Sequence, residues 1–510
     1  LLQLFNRQLT LEHTHALKPG TLSCTIAQVD ERLRAASPNA LLNPGRPAQW
    51  AWNWDELRRG KRKYQRGDHA VWVGEVDGGL NVNLKGEEAE WEVPFGMEAK
   101  VPAAWSGTGG GDVLVVDEGG AAVVRARAGA HKVSPTKPLT LRFSLLITPV
   151  RDRRSGLGAH ASQRYYHTKY SDWDPPTAAE VGRLGANVVT LHQGNSLNPY
   201  INYPFFANAT AALRGYIQRM HTAGRRVKLY FTTKELTSWA TELPLFRELG
   251  TEIVTAADTL NHRRGSSYLQ EQLSNYAAAW CTHSVKGSRG GRADLAFEDQ
   301  ALLVNGASRW CNYYVEGVRW VLRHLKLDGI YLDGIRFPRE VSQRLRHVFA
   351  AAARARGGAD TRAPLLDLHA GPNLRSFLEH TPYLDSLWVG ENIEWGSGTP
   401  DYWLVAVSGL CWGLYSDMLG NADKEADAMR GMLFAMLARS GWAGSKPREN
   451  SKMWALWDDF GLGKAELIGW WEAERPVTLK ESGAGAKRDV VVTVYRRRGE
   501  AALVVIGSWR

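Results

Sequence analysis

The stretch Leu327-Asp328-Gly329-Ile330-Tyr331-Leu332-Asp333-Gly334 has the pattern of a buried strand that ends on a carboxylate. Its short apolar run is bounded by glycine and aspartate on both sides, and Asp333 is the first polar residue after the run. A helical pattern precedes the stretch at 308–325, and another follows it at 338–356. A strand between two helical segments is the repeating unit of a parallel sheet.

The same unit recurs along 156–465. Predicted strands cover 164–170, 187–192, 227–232, 329–333, 365–369, 386–391, 412–416 and 453–457. Predicted helices cover 209–223, 308–325, 338–356, 374–380 and 424–439. Eight strands with helices between them predict a (β/α)8 TIM barrel over 156–465, with its largest insertion at 234–306. An open doubly wound sheet is the alternative, but no glycine-rich dinucleotide fingerprint follows any of these strands.

The segments on either side of the predicted barrel are rich in β patterns. Short alternating runs with glycine-rich turns predict an N-terminal β-sandwich over 1–155. Near the other end, the runs 490–494 and 501–506 flank Arg498-Gly499, which is the pattern of a hairpin. We therefore expect a small C-terminal β-domain over 466–510, and its truncation at residue 510 is an open alternative.

Composition and charge limit the class of protein and its partners. Of the 510 residues, 44% are hydrophobic and 23% charged, which is typical of folded globular proteins. No apolar run is long enough for a transmembrane helix, so we expect no membrane span. The net charge of +10 comes from scattered basic residues without a nucleic-acid-binding motif, so we expect no nucleic-acid partner. An anionic carbohydrate would equally account for this charge.

The sequence gives no pattern for a cofactor or a metal. The cysteines lie far apart, at Cys24, Cys281, Cys311 and Cys411, and no CxxC, His-x-His or HExxH motif occurs. We therefore expect neither a cofactor nor a metal ion. Because the chain begins without methionine, we expect a fragment or a processed form. A secreted or extracellular protein is the suspected localisation, and the oligomeric state stays open.

Carboxylates dominate the predicted C-terminal ends of the barrel strands, where such barrels carry their active sites. Asp333 and Glu391 each follow an apolar strand, and aromatic residues accompany both. Two carboxyl groups among flat rings are what glycoside hydrolysis requires. We predict Asp333 as nucleophile or electrostatic stabiliser, and Glu391, beside tryptophans that would raise its pKa, as general acid. A structural loop contact and a buried ion pair are the respective alternatives.

Other polar and aromatic residues near the predicted strand ends are candidates for substrate binding. Flat rings stack on sugar faces, and polar side chains bind hydroxyl groups. The candidates are Tyr166, His167, Tyr331, Arg336, His369, Glu394, Trp395, Trp454, Trp457 and Asp458.

Several short motifs together resemble those of glycoside hydrolase family 123. They are AVWVGE (70–75), LLITPV (145–150), RYYH (164–167), GIYLD (329–333), GE (390–391), PDYWL (400–404) and WDDFG (457–461). Each motif is weak alone, but their order over 60–510 is specific. The resemblance implies a β-sandwich, a (β/α)8 barrel and a C-terminal β-domain.

The resemblance also implies a reaction. It implies retaining hydrolysis of a β-linked N-acetylgalactosamine, in which the acetamido group of the substrate attacks the anomeric carbon. An adjacent Asp-Glu pair at the fourth strand end would assist this attack. The matching residues here are Asp333 and Gly334, so Glu391 becomes the candidate for the acid. The sequence therefore predicts a glycosidase, and the alternative is an inactive glycan-binding or structural protein with the same fold.

Overall fold

The computed structural model contains one parallel sheet and four antiparallel sheets. It describes residues 9–15, 22–29, 50–53, 70–85, 103–109, 111–118, 121–136, 138–169, 172–255, 278–283, 298–335, 337–357, 363–369, 374–390, 400, 403–418, 429–441, 447–472, 476–477 and 490–508. In chain order the strands are β1 (Leu9–His15), β2 (Leu22–Val29), β3 (Trp50–Asn53), β4 (Ala70–Glu75), β5 (Gly78–Lys85), β6 (Asp112–Glu118), β7 (Ala121–Arg127), β8 (Arg142–Thr148), β9 (Tyr165–His167), β10 (Val188–Leu191), β11 (Arg226–Thr232), β12 (Glu235–Thr237), β13 (Ala278–His283), β14 (Glu298–Leu303), β15 (Gly329–Asp333), β16 (Leu365–His369), β17 (Ser386–Val389), β18 (Ser416–Met418), β19 (Leu437–Ala438), β20 (Glu466–Ile468), β21 (Val490–Arg497) and β22 (Ala501–Ser508).

The parallel sheet has eight strands in the order β9-β10-β11-β15-β16-β17-β18-β19. Its two edges meet, because Ser440, just after β19, pairs with Tyr166 of β9. The Ser440 N–H donates to the Tyr165 carbonyl at 2.9 Å, and the His167 N–H donates to the Ser440 carbonyl at 2.8 Å. The sheet is therefore a closed barrel, and the predicted TIM-barrel fold is confirmed.

The last two barrel strands differ from the prediction. The seventh strand is Ser416–Met418 rather than 412–416, and the eighth is Leu437–Ala438, inside the segment predicted as a helix. Residues 453–457, predicted as a strand, lie in the helix Pro447–Phe460. There Met453, Trp454 and Trp457 are buried at helical spacing, while the residues between them are exposed.

Helices surround the barrel and bury one face against it. The α-helices are α1 (Ala103–Ser106), α2 (Arg153–Ala161), α3 (Ala178–Arg183), α4 (Ala207–Thr222), α5 (Leu243–Arg247), α6 (Trp310–His324), α7 (Arg339–Ala355) and α8 (Pro447–Phe460), with 3₁₀ turns at Leu374–Tyr383, Leu410–Trp412, Met432–Phe434 and Leu462–Lys464 and a π turn at Trp403–Val407. In α6, the buried side chains Trp310, Tyr314, Val318 and Val321 recur every three or four residues. Outward-facing barrel side chains such as Ile330 and Leu332 belong to the same apolar core.

Two antiparallel sheets precede the barrel. One has the order β1-β2-β7-β6-β3, and the other has the order β4-β5-β8. The second sheet contacts the barrel domain, since Trp72 and Val76 join its apolar core. Lys85 of β5 also pairs with the buried Glu379 in the turn before β17, at 2.5 Å. The boundary predicted at residue 155 falls inside α2, and the domain limits and the sandwich arrangement stay predictions.

A third antiparallel sheet, with the order β20-β21-β22, follows the barrel in the chain. The predicted hairpin is confirmed as β21 and β22, and Gly499 in its turn has φ +74°, which favours glycine. The sheet is anchored to the barrel by hydrogen bonds from the Thr493 and Tyr495 hydroxyls to the carbonyls of Leu433 and Met432.

The insertion between the third and fourth barrel strands forms its own small sheet. Strands β12, β14 and β13 lie in this order and pair antiparallel. This sheet follows the C-terminal end of β11 in the chain. That end of β11 lies at the end of the barrel that carries Asp333. Among the helices that the structure describes, none has the length and apolarity required to cross a bilayer.

Candidate active site

Asp333 ends the fourth barrel strand, at the mouth of the barrel. Alternation along β15 turns Tyr331 into the barrel interior, whereas Leu332 joins the outer core. The Asp333 side chain keeps 36% of its exposure, so it is open at the mouth. Its Oδ1 lies 2.8 Å from Nδ1 of His369, which ends the neighbouring strand β16, and the Tyr230 hydroxyl of β11 donates to its Oδ2. Three adjacent strands thus hold this carboxylate.

Asp333 is ionised at neutral pH. Burial opposes its charge, but His369, Lys234 and the Tyr230 hydroxyl outweigh burial and hold the pKa of Asp333 well below its usual range. Because a carboxylate can only accept hydrogen bonds, the His369 Nδ1–H donates to it. Asp333 is therefore suited to attack or to stabilise positive charge, and it is not suited to donate a proton.

Four stacked rings form a wall that runs from the mouth into the barrel interior. His192, Tyr230, Tyr331 and His369 come from the adjacent strands β10, β11, β15 and β16 or the residue that follows them. Successive ring centroids lie 4.0, 5.6 and 6.1 Å apart, with interplanar angles of 30° or less. This wall holds Tyr230 and His369, the two residues that bind Asp333, in position. Burial lowers the pKa of His192 to about 4, so this ring is neutral.

Sequence reasoning missed Tyr230. The signal that could have found it is the alternation Lys228, Tyr230, Thr232 within an otherwise apolar strand. These are inward positions, because Val227, Leu229 and Phe231 between them belong to the outer core. A tyrosine two residues before the end of a barrel strand can reach the carboxylate of the next strand.

His167 and Tyr331 lie deeper than predicted for substrate-binding residues. They are 1% and 2% exposed, and their ring centroids lie 5.1 Å apart in an edge-to-face contact. The Arg439 guanidinium contacts Nδ1 of His167, and burial together with Arg439 holds the pKa of His167 well below its usual range. Both rings support the mouth from below, and direct contact with substrate stays a prediction for them and for His369.

Ionisable side chains fill the barrel below this wall. Lys228 of β11 pairs with Asp367 of β16, and both are fully buried. The Trp388 indole N–H donates to the same Asp367 oxygen at 3.3 Å. Burial raises the pKa of Asp417, on β18, well above its usual range. The lower interior is therefore a polar plug, closed to solvent.

Trp454, Trp457 and Asp458 do not stand at a strand end, so their predicted position is wrong. Both tryptophans are 1% exposed, and Asp458 receives hydrogen bonds from Arg164, with 2.6 Å from Nη1 to Oδ2. Arg164 precedes β9, so this ion pair lies at the end of the barrel opposite Asp333. A helix replaces the expected strand here, and its apolar face turns both indoles into the core.

The remaining candidates divide into two groups. Tyr166 is half-buried on β9, and its position between the inward Tyr165 and His167 turns it away from the barrel interior. Glu391, Arg336, Glu394 and Trp395 lie outside the described residues. The described segment that contains β17 ends at Gly390, one residue after that strand.

Gly334 leaves open space beside Asp333. A Cβ placed on Gly334 would meet no atom within 4 Å, and its φ of +77° is a conformation that favours glycine. Its N–H donates to the carbonyl of His369 at 3.2 Å, which ties the turn to β16. The backbone here suits glycine better than the glutamate that the family pattern places at this position.

Comparison with solved structures finds similar chains at low identity. A GH36 α-galactosidase from Geobacillus stearothermophilus is 11% identical, with 98% of this chain and 73% of that chain covered and a TM-score of 0.42. An α-amylase from Geobacillus thermoleovorans is 11% identical, with coverages of 69% and 86% and a TM-score of 0.43. A cycloalternan-degrading enzyme from Trueperella pyogenes is 10% identical, with coverages of 90% and 70% and a TM-score of 0.40. Comparison with curated protein sequences gives no match.

Family models match three consecutive parts of the chain. The third domain of glycoside hydrolase 123 matches 43–149, its TIM-barrel domain matches 157–441, and its C-terminal domain matches 449–510. The barrel match alone spans more than half of the 510 residues, and it coincides with the closed barrel described above. The chain is a glycosidase that belongs to glycoside hydrolase family 123.

Proposed function

We propose that this glycosidase cleaves a β-linked 2-acetamido sugar, with Asp333 as the carboxylate that acts beside the anomeric carbon. The observation that carries the proposal is Asp333 itself, ionised and open to solvent at the end of the fourth strand. A fixed negative charge at this point stabilises positive charge that develops on a bound sugar.

In the proposed reaction the acetamido oxygen of the substrate attacks the anomeric carbon as the leaving oxygen departs with a proton from a general acid. Asp333 accepts a hydrogen bond from the acetamido N–H, which becomes more acidic as the oxazolinium ring forms. Water then adds to the anomeric carbon and reopens the ring, and its proton returns to the acid residue. Two displacements at one carbon retain its configuration.

We propose Glu391 as the general acid. Asp333 is ionised, and Gly334 carries no carboxyl group, so the proton must come from another residue. Glu391 follows Gly390, just past the end of β17, and β17 lies two strands from β15 in the sheet. Parallel strands end at the same face, which supports a position on the side of the barrel that carries Asp333.

Gly334 also favours a second candidate function, the binding of glycans without turnover. A panel of aryl glycosides distinguishes the two: β-N-acetylgalactosaminide, β-N-acetylglucosaminide and plain β-galactoside. We expect turnover of an acetamido substrate and no turnover of the galactoside. Proton NMR of the product should show that the anomeric configuration is retained. Equal turnover of the galactoside would contradict substrate assistance. Binding of glycans without turnover would establish the second function. A comparison of sulfated with desulfated glycans in the same assay tests for an anionic substrate.

Replacing His369 with glutamine will shift the acid limb of the activity profile to higher pH. Glutamine keeps a hydrogen-bond donor but removes the imidazole, so the pKa of Asp333 rises toward its ordinary value of about 3.9. Ionised Asp333 favours both folding and catalysis above that pH, and both contributions are lost on acidification as Asp333 becomes protonated. The measurement is kcat/KM between about pH 3 and 7.

His324→Gln is the matched control for this shift, because His324 is exposed at the end of α6. Its profile should overlay that of the unmodified protein. An acid limb of His369→Gln that also overlays it would show that His369 does not control the ionisation of Asp333.

A further inference from the structure

An exposed tryptophan lies on the insertion that begins beside Asp333. Trp239 keeps 46% of its exposure, and it is the one exposed tryptophan among the side chains whose burial the structure describes. The other tryptophans in that set are buried or half-buried. A large flat ring at an enzyme surface is able to stack on the apolar face of a sugar ring.

The position of Trp239 connects it to the active site. Thr232, the last residue of β11, pairs directly with Asp333 in the barrel register. The chain then passes Lys234, whose charge acts on Asp333, and reaches Trp239 through the short strand β12. The seven residue steps from Thr232 to Trp239 span at most about 25 Å. Trp239 therefore lies within reach of a substrate that extends from Asp333 over the rim.

A second ring faces Trp239 from the neighbouring loop. Tyr200, in the loop that follows β10, has its ring centroid 6.1 Å from that of Trp239, with an interplanar angle of 33°. Phe206 also contacts Tyr200, with ring centroids 5.1 Å apart. The two loops that follow adjacent barrel strands thus place two aromatic faces side by side at the mouth.

The loops are tied together before any ligand binds. Asn202, in the left-handed conformation at φ +57°, donates to the Glu235 carbonyl at 2.6 Å and to the Thr232 hydroxyl at 3.1 Å. The Tyr203 hydroxyl donates to Glu242 at 2.6 Å and accepts the Thr241 N–H at 3.1 Å. A prearranged surface loses less conformational entropy on binding than a mobile one.

We infer that Trp239, supported by Tyr200, is a stacking platform for a sugar ring beyond the one that is cleaved. This inference rests on the proposed glycosidase function of Asp333 and adds a distal subsite to it. The ligand class is an oligosaccharide, with one sugar ring at Asp333 and another on the platform. The platform contributes binding energy at a distance from the reacting carbon, so it affects oligosaccharides more than aryl monoglycosides.

The test compares two substrates that share the cleaved sugar. They are an aryl β-N-acetylgalactosaminide and a trisaccharide that ends in β-linked N-acetylgalactosamine. For Trp239→Ala, we expect the ratio of kcat/KM on the trisaccharide to that on the aryl glycoside to fall about fivefold to tenfold, mainly through KM. Trp239→Phe should recover part of this loss. Leu245→Ala, an exposed apolar control on the same insertion, should leave the ratio unchanged.

Binding of the trisaccharide to Asp333→Asn, measured by calorimetry with and without Trp239→Ala, separates the platform from catalysis. Weaker binding with Trp239→Ala supports the platform even if the unmodified protein turns over neither substrate, in which case the proposed function alone fails. An unchanged ratio together with unchanged binding would overturn the platform. Absence of any trisaccharide binding would overturn it as well.

Discussion

Asp333→Asn will lower kcat/KM by about a thousandfold or more, which corresponds to about 4 kcal/mol of transition-state stabilisation. Asparagine keeps the shape of the side chain and an oxygen that accepts from the Tyr230 hydroxyl. It removes the negative charge that balances the positive charge developing on the sugar, and it takes an anionic partner from His369. The measurement is steady-state turnover of the best aryl glycoside from the panel.

The control for this substitution is Asp459→Asn, since Asp459 is exposed on α8, outside the barrel mouth. Its activity should equal that of the unmodified protein, and thermal unfolding should show that both variants are folded. Asp333→Asn should still bind glycan, because the uncharged surfaces of the mouth stay in place. Full activity of Asp333→Asn would remove Asp333 from the mechanism.

Lys228→Met will destabilise the protein by about 3–5 kcal/mol. The substitution removes the ammonium partner of the Asp367 carboxylate in the buried lower barrel, where the Trp388 indole N–H also donates to that carboxylate. A buried charge without its counter-charge costs far more than the pair contributes, because burial removes the hydration that would otherwise stabilise the charge. The shift in the midpoint of chemical unfolding, followed by tryptophan fluorescence, measures the effect.

The double variant Lys228→Met/Asp367→Leu should recover most of this loss, because it removes both charges and fills the space with apolar atoms. The exposed pair of Arg319 and Glu316 on α6 provides the control, and Arg319→Met should change stability by less than about 1 kcal/mol. If Lys228→Met were as mild as Arg319→Met, the Asp367 carboxylate would not depend on Lys228 as its counter-charge.

Local sequence patterns predicted the first six barrel strands and failed at the last two. The six are apolar runs bounded by turns, and a buried parallel strand requires little else. The eighth strand has only two residues, and its pairing continues through the single bridge of Ser440. The residues around it are buried on every side, so the segment 432–438 shows no periodicity that separates strand from helix.

The predictions for the candidate site were likewise correct at one strand end and wrong at another. The prediction that Asp333 lies at a strand end needed only the apolar run before it, and the structure places it there. Trp454 and Trp457 appeared equally suited to a strand end, but their spacing also fits one buried face of a helix, and the helix formed. Short apolar runs with aromatic residues satisfy both patterns, and the packing of distant segments selects between them.

The sequence by itself determined the order of the sheets, the barrel class, the family and the position of Asp333, because these follow from runs of neighbouring residues. Only the tertiary structure decided the chemistry of that carboxylate. His369 and Tyr230, which are 36 and 103 residues away from Asp333 along the chain, reach it because β11, β15 and β16 lie side by side. Electrostatic interactions depend on distance through space, so the ionisation of Asp333 could not be predicted before the strands were paired.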